Sequence, residues 1–169
     1  DLFQREFVGS RTSATVKQQL LVALGRLCDT FADSMRERRA AVLRLLHDAL
    51  ERQFRSKKPD MPVLSGALLA LRAALVPFGG ELAADSARVQ ALYHYVATAL
   101  SPPAALARYD VPKAALKLVA AHAPLLRQYL TEDAARMYER VAHWCRHANR
   151  AVRDAALDAL DAFLGVVAA

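Results

Sequence analysis

The sequence predicts an all-α fold built from stacked helical hairpins, and three observations lead there. Alanine takes 35 and leucine 26 of the 169 positions, isoleucine is absent, and valine with threonine add only 19. The best helix formers therefore dominate, while the β-branched types that favour strands are scarce. Four segments align without gaps: VKQQLLVAL from Val16, VLSGALLAL from Val63, VPKAALKLV from Val111 and VRDAALDAL from Val152. Their starts lie 47, 48 and 41 residues apart, the period of HEAT-type helical hairpins. The expected architecture is an α-solenoid of HEAT-like hairpins with about three and a half repeats, or about seven to eight helices. Its handedness is taken as right-handed, as in HEAT arrays generally.

Each block reads as the first helix of a hairpin. It opens with Val, carries Leu at the sixth place (Leu21, Leu68, Leu116, Leu157) and closes on Leu24, Leu71, Val119 or Leu160. The fifth place is Leu20, Ala67, Ala115 or Ala156. These positions trace one face of a 3.6-residue helix and form the expected core. The gaps hold the second helices. Ser34 with Glu37 forms a capping box opening a helix to about Phe54, with Val42, Leu46, Ala49 and Leu50 inward. Asp85 or Ser86 caps the next, toward Leu100, with Val89, Leu92, Tyr93 and Val96 on its face. Thr131 caps a third, whose stripe is Ala134, Met137, Tyr138, Val141 and Cys145. Breakers fall between them: SKKPDMP at 56–62, SPP at 101–103 and His147–Asn149. Asp110 and Asn149 suit N-caps, Pro112 fits an opening turn, and Pro77 and Pro124 mark a stop or kink.

Residues 1–169 thus read as a single α-solenoid segment, with repeats roughly at 13–58, 59–101, 109–147 and 149–169. The apolar tail Phe163, Leu164, Val166 and Val167, with a first residue that is not Met, reads as an excerpt of a larger protein. Neighbouring repeats of the same chain would then cover that tail.

Composition and motifs exclude several classes. At 54% hydrophobic residues the chain is not disordered, and 6 Gly with 7 Pro are too few for low complexity. Cys28 and Cys145 make no disulfide framework, which fits a reducing compartment. The apolar run from Val63 to Gly80 carries Arg72 and Pro77 and reads as too broken to span a bilayer. Asp1 to Phe7 is no signal peptide, so no membrane partner is expected. Ser65 in VLSGA is not a nucleophile elbow, and Gly79–Gly80 belongs to no phosphate-binding loop. Kinase landmarks are missing, and Asp154, Asp158 and Asp161 are spread along a solvated face. No catalytic residue and no cofactor is expected. His143, Cys145 and His147 read H-x-C-x-H, but on a helix Cys145 points away from the two histidines, so no metal site is expected. His122, on the stripe with Val111, Ala115 and Leu118, reads as a core or hydrogen-bonded histidine.

Charge is the uneven feature. The 23 basic residues against 17 acidic ones leave a formal +6. From Arg36 to Lys58, Arg36, Arg38, Arg39, Arg44, Arg52, Arg55, Lys57 and Lys58 face only Glu37, Asp48 and Glu51. Arg44, Asp48, Glu51 and Arg55 form a mixed stripe of i,i+4 pairs, as on an ordinary solvated face. Arg52, Arg55, Lys57 and Lys58 at one hairpin turn are the candidate contacts to nucleic acid or an acidic partner. Phosphate contact needs little more than loosely held cations. No interleaved aromatics accompany them, which argues against a single-strand stacking platform.

The stretches ARYDVPKAALKLVAAHAPLL (107–126) and ERVAHWCRHANRAVRDAALDALDAFL (139–164) resemble the N-terminal solenoid of the DNA-dependent protein kinase catalytic subunit family. The likeness extends upstream through KKPDMPVLSGALLALRAAL (57–75) and, more loosely, to SMRERRA (34–40). It rests on Tyr109, Val111, Pro112, His122, Trp144, Cys145, His147 and Asn149, which are packing and capping positions. This chain departs by being richer in Ala and Arg, with a less acidic linker from Gly79 to Asp85. The resemblance implies a non-catalytic scaffold segment of a nuclear DNA-repair protein kinase, acting in double-strand-break repair by non-homologous end joining. It implies the Ku heterodimer and double-stranded DNA ends as partners, and a serine/threonine kinase region elsewhere in the parent polypeptide. No contact residue follows from it. The competing reading is a general protein-binding α-solenoid adaptor for transport or assembly.

Overall fold

A computed structural model describes residues 12–101 and 109–169. These residues form helices joined by short turns, without a strand, as the composition predicts and consistent with an α-solenoid. In chain order the helices are α1 (Ala14–Thr30), the single turn α2 (Ala32–Met35), α3 (Arg39–Arg55), α4 (Met61–Ala83), α5 (Ser86–Leu100), α6 (Asp110–Glu132), α7 (Ala134–Trp144) and α8 (Arg150–Val167). A 3-10 turn over Arg36–Arg38 joins α2 to α3. The expected breaker at Pro102 and Pro103 lies outside the described residues. The chain forms two compact units, Asp1–Phe78 and Gly79–Ala169. The border falls inside α4, one residue after Phe78 and two after Pro77.

In the first unit α1 starts at Ser13, whose Oγ accepts the Val16 N–H at 3.3 Å. Leu21 and Cys28 are fully buried. Glycine lets α1 and α4 approach each other closely. A Cβ on Gly25 would lie 2.7 Å from the Ala70 Cα, and one on Gly66 would lie 2.9 Å from the Gln18 Cγ. The expected capping box at Ser34 and Glu37 does not form. The chain continues helically past Phe31, so Ser34 falls inside α2, and α3 begins after Arg38 with no side-chain cap. The inward face of α3 is as expected: Val42, Leu46, Ala49 and Leu50 are buried, with Leu43 beside them.

Helix α4 is apolar nearly all round, and Val63 to Leu68 are buried without interruption. By length and composition it could cross a membrane despite Arg72 and Pro77, contrary to the sequence expectation. Most of its apolar stretch is buried against protein, which is how a core helix of this composition behaves.

In the second unit Asp85 caps α5, its Oδ1 accepting the Arg88 N–H. Helix α6 packs against α5 and most extensively against α8. Alanines are prominent in the buried set of both helices: Ala114 and Ala115 on α6, and Ala155, Ala156 and Ala159 on α8. At His122 the α6 backbone leaves helical geometry (φ −132°, ψ 25°), two residues before Pro124. Proline has no N–H to donate and crowds the preceding turn, so this is the expected kink. Asp110 is the first helical residue rather than the cap, and it pairs with Lys113 at 3.8 Å. Thr131 does not cap α7, because α6 runs on to Glu132 and Asp133 takes the junction. The buried stripe of α7 is Met137, Val141 and Trp144, while Tyr138 is exposed and Cys145 half-buried. Asn149 caps α8 as expected, accepting the Ala151 N–H at 2.9 Å.

Of the four sixth-place leucines, Leu21, Leu68 and Leu116 are fully buried, but Leu157 is 55% exposed. The sixth place lies about 140° around the helix from the first. No described element covers that flank on α8, whose Val152, Ala156 and Phe163 face inward instead. Val16, at the first turn of α1, is likewise 48% exposed. In the tail, Phe163 is buried while Leu164 is exposed.

Three polar anchors fix the second unit. The Trp144 Nε1 donates to the Leu100 carbonyl at 2.9 Å. The Tyr93 hydroxyl donates to Asp133 Oδ2 at 2.7 Å, and Arg140 donates to the same oxygen at 3.1 Å. Tyr93 also stacks on Tyr129 at 5.7 Å between centroids, and Tyr129 donates to the Ser86 carbonyl. Around the last turn, the Asn149 N–H donates to His147 Nδ1 while Arg153 bonds the His147 and Ala148 carbonyls.

Two measurements test this packing. Gly25→Ala should lower the stability of the chain by about 1–3 kcal/mol in urea titrations, because the methyl meets backbone. Gly165→Ala, where a Cβ meets nothing within 4 Å, should be neutral or stabilise by up to about 1 kcal/mol. Burial first, and then the bond to Asp133, raise the Tyr93 pKa well above the ordinary tyrosine value. A raised folded-state pKa gives stability that is complete below the unfolded value near about 10 and lost as pH rises beyond it. Unfolding midpoints should therefore fall above about pH 10, and Tyr93→Phe should flatten that fall.

Candidate nucleic-acid interface

The basic turn sits where α3 ends and the chain crosses to α4. Helix α3 stops at Arg55 because Ser56 adopts extended geometry (φ −74°, ψ 137°) and Pro59 follows within the SKKPDMP breaker. Two local bonds pin the backbone of the turn. The Lys58 N–H donates to Ser56 Oγ at 3.2 Å, and the Asp60 N–H donates to the Gln53 side-chain oxygen at 2.8 Å. Arg52 and Arg55 lie in the last turn of α3, where cations are favoured by the helix dipole.

The four candidate residues do not stand alike. All are exposed, but the Arg55 guanidinium is held by Glu51 at 2.6 Å, one of the i,i+4 pairs expected on this face. Arg52, Lys57 and Lys58 carry no ion pair among the described residues. Three uncommitted cations therefore crown a firmly held turn, which suits phosphate contact without base recognition. At the other end of the segment, Arg36 pairs with Asp33 at 2.7 Å and Arg39 donates to the Arg36 carbonyl at 2.8 Å. That cluster is more committed than its composition suggests.

The H-x-C-x-H residues straddle the end of α7, which stops at Trp144. His143 is exposed and edge-on to Trp144, with centroids 5.2 Å apart. His147 lies half-buried between Tyr109 and Trp144, its Nδ1 used by the Asn149 N–H. Burial raises the Cys145 thiol, and that of Cys28, so neither favours the thiolate that binds metal. Among the described residues no group of three His, Cys, Asp or Glu could hold a metal ion. His122, expected in the core or hydrogen-bonded, is half-buried and has an interaction partner.

Sequence reasoning missed an open cleft of about 390 Å³ lined by Ser101, Arg136, Glu139, Arg140 and His143. Its two arginines share the lining with the acidic Glu139, and both reach Asp133, at 3.6 Å for Arg136 and 3.1 Å for Arg140. Local charge is thus nearly balanced, and the cleft does not select an anion. Nothing in residue spacing signals it, because Ser101 meets α7 only through tertiary packing.

The family model described as DNA-PKcs, N-terminal, matches residues 1–169. The DNA-dependent protein kinase catalytic subunit of Dictyostelium discoideum is 37% identical over 163 residues, covering 96% of this chain. The Xenopus laevis protein of that name is 30% identical over 94% of the chain, and that of Mus musculus 28% identical over 92%. The chain spans about 4% of the length of each of these relatives.

Replacing the exposed cations should leave the fold intact. Lys57→Glu and Lys58→Glu are each expected to change unfolding free energy by less than about 0.5 kcal/mol, while Arg52→Glu, which puts an anion in the last turn of α3, should cost about 1 kcal/mol. Arg55→Ala, which loses an exposed ion pair, should cost under about 1 kcal/mol in the same denaturation series.

Proposed function

Since this chain belongs to the DNA-PKcs N-terminal family, we propose that it is a non-catalytic scaffold segment of a DNA-repair protein kinase that helps cradle DNA ends. The parent acts as a serine/threonine kinase through a region elsewhere in the polypeptide. The setting is non-homologous end joining in the nucleus, with the Ku heterodimer as protein partner, as the resemblance to this family implies.

The observation that carries the DNA part is the trio Arg52, Lys57 and Lys58, exposed and without carboxylate partners among the described residues on a pinned turn. Cations held this way meet a phosphate backbone through charge alone, so binding is blind to sequence and steeply salt-dependent. A second reading, a protein-binding adaptor, has its own support. Val16, Leu27 and Phe31 are exposed at 48, 46 and 56%, and their spacing puts them on one outer face of α1. An apolar stripe of this kind suits a protein partner.

Salt separates the two. For the full-length protein, affinity for duplex DNA should fall linearly with salt on logarithmic axes. The combined R52E/K57E/K58E variant should make that slope shallower by roughly two to three. An unchanged slope removes the turn from DNA contact. Salt-tolerant capture of a protein partner, lost in Leu27→Asp or Phe31→Asp, would favour the adaptor.

A further inference from the structure

Ser56 stands at the centre of the basic turn, and charge and geometry give it a role that the DNA reading does not use. It is exposed, and its backbone is extended. Cations flank it on both sides: Arg52 and Arg55 before it, Lys57 and Lys58 after it. Its hydroxyl makes one described contact, accepting the Lys58 N–H at 3.2 Å, so its own proton is not engaged by that bond. An exposed serine in extended backbone between cations is the form in which a serine kinase with an acidic substrate groove receives its acceptor.

We propose that Ser56 is a phosphoacceptor for a basic-directed serine kinase, and that the phosphate it gains switches off the turn as an anion-binding surface. This regulatory half rests on the function proposed above. In the transfer step the Ser56 oxygen attacks the γ-phosphorus of Mg-ATP held by that kinase. The bond from that phosphorus to the β,γ-bridging oxygen breaks, and ADP leaves with the electron pair. The hydroxyl proton passes to a carboxylate of the kinase.

The product would carry a charge of about −1.5 to −2 and three strong acceptor oxygens. Two effects then oppose each other. The C-terminal end of α3 repels an anion at its cap. Arg52, Lys57 and Lys58 attract it, and Arg55 can exchange Glu51 for it through charge-assisted bonds. Four neighbouring cations outweigh one exposed helix end and the two carboxylates of the turn, Glu51 and Asp60, so the phosphate folds back onto the turn. Cations occupied internally are lost to an outside polyanion.

The test has two arms on the full-length protein. First, the protein is incubated with Mg-ATP and a serine kinase selective for cations on both sides of the acceptor, and the product is mapped by mass spectrometry. One phosphate at Ser56 is expected, absent in Ser56→Ala and formed at least tenfold more slowly in R52Q/K58Q. No phosphate at Ser56, or equal rates in the two proteins, overturns the acceptor assignment. Second, protein carrying phosphoserine at 56 is titrated with duplex DNA across a salt series. Affinity should drop roughly tenfold or more at physiological salt, with a slope shallower by about two. Unchanged binding there, while K57E/K58E weakens it, overturns the switch. If K57E/K58E itself has no effect, the DNA reading of the turn fails, and the acceptor assignment stands or falls on the first arm.

Discussion

A helix this rich in alanine cannot bury its apolar face within one hairpin; it needs a neighbour that comes close. The meeting of α6 and α8 shows how that need is met. Ala114 and Ala115 on α6 and Ala155, Ala156 and Ala159 on α8 are buried where these two helices pack most extensively. Larger side chains, Leu118 and Leu126 on α6 and Phe163 on α8, are buried as well. Close packing of small faces gives dispersion contacts rather than bulk, and it tolerates few substitutions. In the first unit glycine takes this part, with Gly25 against Ala70 and Gly66 against Gln18.

Polar anchors then choose among the ways such smooth helices could slide. Alanine faces alone specify register poorly, because one turn looks much like the next. Trp144 tied to the Leu100 carbonyl, and Tyr93 tied to Asp133 beside Arg140, remove that freedom in the second unit. Each satisfies a polar atom that would be costly to bury alone. The anchors join elements about forty residues apart in sequence, while the basic turn is held by bonds spanning only two and seven residues. The surface that carries charge is therefore set locally, and the scaffold beneath it globally.

Much of the fold was legible because helical periodicity is a local property. The buried stripe of α3, the caps at Asp85 and Asn149 and the kink near Pro124 follow from spacing and residue chemistry alone, as do Val89, Leu92 and Val96 on α5, where Tyr95 is buried and the expected Tyr93 only half-buried. What was not legible depends on neighbours. Leu157 occupies the same place in its block as Leu21, Leu68 and Leu116, yet it faces outward because burial on that flank requires another helix. Ser34 and Thr131 have the chemistry of caps, but adjoining helical backbone absorbs both. At the basic turn the cations were visible in the sequence. The pairing that sets Arg55 apart from Arg52, Lys57 and Lys58 required coordinates.

The contact at Gly25 has one more consequence. What a side chain there would strike is the α-carbon and carbonyl of Ala70, at 2.7 and 2.9 Å. Most tight spots in a core can be relieved by shrinking the opposing residue, so paired changes can drift through them together. Main-chain atoms are common to all twenty amino acids and offer nothing to shrink. Position 25 is thus closed to second-site rescue, and over long divergence it should stay fixed while the alanine faces around it are rewritten.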